Sequence, residues 1–363
     1  MITAQMVKDL RELSGAGMMD CKKALNETNG DMDAAMEFLR KSGAAKAEKK
    51  ASRIAAEGIC RIAQDGDKAA AVVEVNSETD FVAKNEKFQT FVEAVAKQAL
   101  NTKNTDMDAF MAESWILDGS KTVQEALVEQ IAVIGEKLSI RRFEKVEATN
   151  GCVVSYVHGG GRIGVLVNAE TATVTDAVKD ALTNIAMQIA AMNPSYISRN
   201  DISDAELAKI REITVDSALN DPASLPKPIL QKLIERALNE KAWSDEDMAA
   251  YEAEKNNKFL FNFLSKEAAA KLAEFAMEGK ETYLADKIFC GLVDGRISKQ
   301  LKEICLLDQA YVKAEDGKQT VEAYLKSVAA DLKIVKYVRF ETGEGLEKKN
   351  ENFAEEVAAQ MNA

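Results

Sequence analysis

Histidine is nearly missing from this sequence: His158 stands alone among 363 residues. That weighs against nucleophilic catalysis, because a Ser-His-Asp or Cys-His site needs an imidazole held by an acid beside its nucleophile. A zinc site needs several His or Cys ligands at close spacing, which this chain does not supply. The five cysteines, Cys21, Cys60, Cys152, Cys290 and Cys305, form no CxxC pair. Their odd number suits reduced thiols better than disulfides. No apolar run reaches the length of a signal peptide or a membrane span, and charges appear by residue 8, so a cytoplasmic protein without membrane contact is expected. Phosphate-binding loops are absent too. Gly159-Gly160-Gly161-Arg162 lacks the Gly-Lys-Ser/Thr ending and falls between two strands, and Gly15-Ala16-Gly17 lacks a third glycine and a βαβ setting. The four prolines leave long stretches open to helix. Nothing calls for a metal or a cofactor, and no catalytic residue is named.

What is present is acidic. Lys plus Arg is 47 and Asp plus Glu is 59, a balance of −12, which argues against direct nucleic-acid binding, since phosphates need clustered cations. The basic run over 40–53 reads best as a solvated helix and linker. Hydrophobic content of 47% beside 29% charged residues is ordinary for a globular protein, and the length suffices for two or three domains.

An internal duplication organises the chain. Residues 57–79 and 150–171 each run strand, glycine-bearing turn, strand, then Asn-x-Glu-Thr, at Asn76 and Asn168. Alternating β-branched residues round a tight turn predict a hairpin. Residues 118–144 and 316–341 each read as a turn, an amphipathic helix and a strand ending in Arg-Phe-Glu. The expected fold is therefore α+β, with a core of two duplicated three-stranded antiparallel subdomains backed by helices. Asn76 to Asn168 is 92 residues and Thr122 to Thr320 is 198, so the second copy carries 198 − 92 = 106 extra residues between about Pro194 and Asp316. Apolar stripes such as Ile229, Leu230, Leu233, Ile234 and Leu238 predict helices there, an inserted antiparallel arm of coiled-coil type.

The expected boundaries are 1–43 for an N-terminal three-helix module and 44–57 for its Ala- and Lys-rich tether. The core takes 58–147 for its first half, and 148–200 with 306–342 for its second. The arm takes 201–305, and 343–363 form a C-terminal module ending in a short helix. Within the N-terminal module, Thr3 and Asp31 are the expected caps of the first and third helices, and the third is expected to end at Ser42.

One contrast between the copies stands out. Asp80-Phe81 follows the first Asn-x-Glu-Thr, where the second copy has Ala172-Thr173. A bulky aromatic beside an acid, just past a strand, is surplus to a scaffold that manages without it. Phe81 then suits a wedge into another protein. The plainer alternative has Phe81 packing between modules and Asp80 capping the next helix.

Thr79-Asp80-Phe81-Val82-Ala83-Lys84-Asn85 resembles the Thr-Asp-Phe-Val-Ala-Arg-Asn signature of the elongation factor Ts family. The run Leu13 to Leu25, His158 to Val167, and Arg339 to Gly345 are similar to three further blocks of that family in the same order. The resemblance implies a UBA-like N-terminal module and a guanine-nucleotide exchange factor without covalent chemistry. Its partner would be elongation factor Tu, GDP-bound and nucleotide-free. Thr79, Asp80, Phe81 and Val82 would form the exchange wedge near that partner's magnesium site. Lys23, Ile134, Gly135, His158, Val312 and Lys313 would be further contacts, Lys313 standing where the family has an apolar residue. Residues from about 219 to 282 look additional to the short coiled coil expected of the family, leaving self-association through the arm open. The rival reading is a helical adaptor or chaperone-like binding protein that leaves nucleotide kinetics unchanged.

Overall fold

The computed structural model describes residues 2–347. They form two compact units, one running to Asn193 and resuming at Ala323, the other spanning Pro194–Glu322. The first unit opens with α1 (Ala4–Ser14), α2 (Met18–Glu27) and α3 (Met32–Lys50). Thr3 accepts from Met6 N and Asp31 from Ala34 N, so both predicted caps form. Leu10, Cys21, Leu25 and Ala35 close a small core between these helices. The expected end of the third helix at Ser42 is corrected, because α3 continues to Lys50. Its extension is rich in Ala and Lys, strong helix formers with no breaker among them, so the first half of the expected tether is helical.

Next come β1 (Glu57–Asp65), β2 (Ala69–Ser77), α4 (Asp80–Ala83), α5 (Glu86–Asn101) and α6 (Met107–Met111). A small hairpin, β3 (Ser114–Trp115) and β4 (Asp118–Thr122), leads into α7 (Val123–Ile134) and β5 (Leu138–Glu147). Residues 118–122, expected as a turn, pair as a strand with 114–115. The capping box of Thr122 with Glu125 starts α7 from extended backbone, which suits that pairing. After β6 (Gly151–His158), β7 (Ile163–Glu170) and α8 (Asp176–Met192) the chain enters the second unit.

That unit contains α9 (Asp204–Leu219), α10 (Lys227–Asn239), α11 (Asp245–Glu254), α12 (Lys266–Glu278), α13 (Lys280–Leu284) and α14 (Lys287–Ile304). α9 and α14 run antiparallel, Arg211 pairing with Asp294 at 2.7 Å while Tyr196 N, before α9, bonds Ile304 O at 3.1 Å. The helices between them share one core, with Trp243, Leu272, Phe275 and Phe289 buried at its centre. Finally α15 (Val321–Val328) returns the chain to β8 (Lys333–Glu341). The expected C-terminal helix, at 352–363, lies outside the described residues.

In the first unit, two three-stranded antiparallel sheets form, in the orders β1-β2-β5 and β6-β7-β8. β2 is covered on both sides, which is why it reads AAAVV rather than as a polar alternation. Ala71, Val73 and Val75 face the α5 and α7 layer with Phe88, Val95 and Leu127. Ala70 and Val72 face the other way, with Val153, Leu166, Val338 and Phe340 of the second sheet. α8 covers β6 and β7.

The Asn-x-Glu-Thr match is out of structural register by two residues. Gly58 opposes Asn76 on β2, whereas Gly151 opposes Glu170 on β7. Both glycines sit at φ near 130–139°, and a Cβ on either would lie 2.1 Å from a carbonyl across the strand. They mark equivalent positions, 151 − 58 = 93 residues apart. The β6–β7 turn (159–162) has one more residue than the β1–β2 turn (66–68). The offset beyond the turn is therefore 94, making Ser77 the equivalent of Thr171. Their hydroxyls agree, each donating to the carbonyl two residues on, at 2.9 and 3.4 Å. The net excess of the second copy beyond Ser77 and Thr171 becomes 198 − 94 = 104.

Candidate functional site

From Ser77 to Asn85, the cap of α5, is eight residues; from Thr171 to Thr175, the cap of α8, is four. The first copy thus holds 8 − 4 = 4 additional residues at this junction, and α4 is one turn of four residues, Asp80–Ala83. Local chemistry makes it a helix. Thr79 is the cap, its hydroxyl accepting from Val82 N at 3.4 Å, so Thr79 and not Asp80 fills that role. Val82 and Ala83 turn inward to the α5 core, which leaves Val82 holding the turn and offering little surface. Asp80 accepts from Lys84 Nζ at 2.7 Å, and this bond holds its carboxyl below the usual carboxylate range. Phe81 does not pack between modules. It is 80% exposed, more than any other large apolar side chain among the described residues.

Ile134 and Gly135 lie in the neighbouring turn. Gly135 ends α7 in the left-handed region at φ 88°, and Ile134 packs half-buried against the α5 core. Glu136 accepts from Thr79 N and Thr79 Oγ1, at 3.0 and 2.7 Å, joining this turn to that of Phe81. Lys50 Nζ, on the last residue of α3, donates to Gly135 O. His158 ends β6 exposed, its Nδ1 2.9 Å from Tyr156 Oη. The tip of its hairpin is tied to β1, where Cys60 N donates to Gly161 O at 2.6 Å. Glu57 at the start of β1 opposes Ser77, so that tip and the Phe81 turn share one end of the first sheet.

Lys23 is exposed on α2. Beside it sequence reasoning missed Leu13, Met18 and Met19, exposed by 69, 58 and 75%. Their signal was present, as apolar residues flanking the Ser14–Gly17 break where a helix end cannot bury them. Beneath, a groove of about 420 Å³ between α1, α3 and α7 is floored by Leu39, Val128 and Ala132. Val312 and Lys313 are exposed in a loop of the second unit, between the paired residues Ala310 and Thr320. Among the described residues no three His, Cys, Asp or Glu converge as metal ligands, and no helix is long and apolar enough to cross a membrane. The arrangement offers an exposed aromatic on a braced turn and further exposed side chains around it.

The family model described as "Elongation factor TS" matches residues 78–246 and 237–344. An elongation factor Ts of Clostridioides difficile (strain 630) is 43% identical over 363 residues, covering 99% of each chain. That of Clostridium kluyveri (strain ATCC 8527) is 42% identical over 367 residues with the same coverage. That of Clostridium perfringens (strain SM101) is 43% identical over 363 residues, covering 99% of this chain and 98% of its own.

Proposed function

The chain belongs to the elongation factor Ts family and is a translation elongation factor, and on that premise we propose that it speeds GDP release from elongation factor Tu by inserting Phe81 beside the nucleotide's magnesium site. The single observation that carries this reading is the extra helical turn α4, four residues that the second repeat lacks, holding Phe81 80% exposed. An apolar ring kept in water by a braced turn is preorganised for a pocket elsewhere, because little freedom is lost on binding. Magnesium holds a nucleotide by bridging phosphate oxygens, so disturbing its shell loosens the whole ligand. The factor forms and breaks no covalent bond. Linkage makes the effect reciprocal, with GDP weakening the factor's hold as the factor weakens that of GDP. Turnover follows without further chemistry.

Docking is spread more widely. Lys23 with its apolar neighbours, Ile134 and Gly135, His158, and Val312 with Lys313 supply contacts that hold the GTPase, in its GDP-bound and nucleotide-free forms, while Phe81 acts. Such a factor works in the cytoplasm, where its partner is.

The test loads elongation factor Tu with a fluorescent GDP analogue and follows its release in excess GDP, with and without this chain. Phe81 has about 200 Å² of surface, and burying the exposed four-fifths is worth about 4 kcal/mol at ~25 cal/mol per Å². Phe81→Ala should lower the maximal release rate by about two orders of magnitude, a substantial share of that ceiling. The half-saturating concentration should move far less. Equal losses in both would mean that Phe81 is only one docking contact among several.

A further inference from the structure

Two carboxylates cross between the turn that carries Phe81 and its neighbour. Glu136 takes both Thr79 donors, backbone N at 3.0 Å and hydroxyl at 2.7 Å. In return Glu78 accepts from Lys137 N at 2.5 Å, and Arg53 Nη1 steadies the same carboxylate at 3.2 Å. The Thr79 hydroxyl donates its one proton to Glu136 and thereby presents its lone pairs to Val82 N at 3.4 Å. A threonine hydroxyl rotates between partners unless its proton is claimed, so Glu136 fixes the cap on which the single turn of α4 depends. The corresponding junction of the second repeat carries no aromatic turn. There one carboxylate serves, Asp331 accepting from Ala172 N at 2.6 Å. The scaffold therefore needs one acid at this place, and the first repeat has two.

We propose that Glu136 is a positioning residue for exchange: by claiming both donors of Thr79 it locks α4 and keeps Phe81 presented to the partner. The inference rests on the reading of Phe81 as the wedge. A loosened turn populates the presenting conformer for only part of the time, and the wedge step slows by that fraction. Docking contacts elsewhere are untouched, so the loss falls on the maximal rate and not on half-saturation.

Two measurements on the full-length chain decide it. In the free protein, amide hydrogen exchange at Val82 should quicken about tenfold or more in Glu136→Ala, which loses both hydrogen bonds to Thr79, with Ala172 unchanged. Unaltered protection at Val82 would overturn the clamp. In nucleotide release from elongation factor Tu, Glu136→Ala should lower the maximal rate about tenfold. Glu136→Gln, which keeps one acceptor oxygen, should fall between. In a Phe81→Ala background, Glu136→Ala should cost nothing further, since the ring it positions is gone. The same loss in both backgrounds would show that Glu136 acts elsewhere and would end the proposal. Failure of the exchange reading itself looks different: the unaltered chain would not speed release at all.

Discussion

Replacing Glu74 by alanine probes a fully buried carboxylate in the layer between the two sheets. Its Oε1 accepts from Arg141 Nη1 at 3.0 Å, Asn76 Nδ2 at 3.1 Å and Gly343 N at 2.8 Å, and its Oε2 from Arg142 Nε at 2.6 Å. One side chain thus joins β2, β5 and the segment that follows β8. Removing one partner from a buried ion pair costs about 3–5 kcal/mol. The arginine side chains remain 25 and 29% exposed, so water recovers part of the loss, and about 3 kcal/mol is expected for Glu74→Ala. At ~2–4 °C per kcal/mol for a unit of this size, the melting point should fall by about 6–12 °C. A Trp243→Phe background leaves Trp115, in the α5 core, as the one tryptophan and the reporter of the first unit. The deficit should persist in high salt, because buried pairs are weakly screened. A loss under about 1 kcal/mol, the usual ceiling for exposed ion pairs, would refute the assignment.

The thiol of Cys60 is pushed up to about 11, mainly by burial, from a reference of 9.0. Its folded value is raised, so the stabilising contribution is complete below pH 9 and disappears as the pH climbs to about 11. Denaturant melts across that interval should show Cys60→Ala losing less stability than the unaltered chain, by about 3 kcal/mol at the alkaline end. An identical alkaline decline in both would count against the buried thiol. For Gly343→Ala, the new Cβ would lie 2.1 Å from Ala56 O at a φ of 73°. Gly345 has a similar φ of 72° but open space around it. The Gly345→Ala change should cost about 1 kcal/mol in a urea melt, for backbone strain alone, and Gly343→Ala at least about 2 kcal/mol more. Equal costs would mean that the neighbouring segment moves aside freely.

The duplication was legible because strand alternation and turn glycines are local signals, and both sheets form as the pattern implies. Its register was not. Asn76 and Asn168 head the same tripeptide but occupy different places, Asn76 bonding Glu57 O from inside the core and Asn168 bonding Glu147 O near the surface. Gly58 and Gly151 were the better guides, since each is required by a carbonyl that only the paired strand reveals. In the structural register Ala172-Thr173 correspond to Glu78-Thr79, so the contrast with Asp80-Phe81 was misaligned in the sequence, and the surplus of the first copy is the four residues of α4. Glu136 was not legible as a partner of Thr79. The two are 57 residues apart, and no sequence pattern announces a long-range hydrogen bond. Glu74 was hidden for a similar reason, as a charge in an apolar strand whose arginine and glycine partners lie 67 to 269 residues away.

The placement of β8 fixes the order in which a growing chain can finish its sheets. The first sheet is complete once residue 147 has been made, but β7 gains its second neighbour only with β8. From the end of β7 to the end of β8 is 341 − 170 = 171 residues. At ~5–20 residues per second that interval lasts about 10–30 s. Throughout it one edge of β7 lacks its strand, and an unpaired edge invites pairing with other chains. The whole 194–322 unit is made meanwhile, so the sandwich is the last part of the described chain to close.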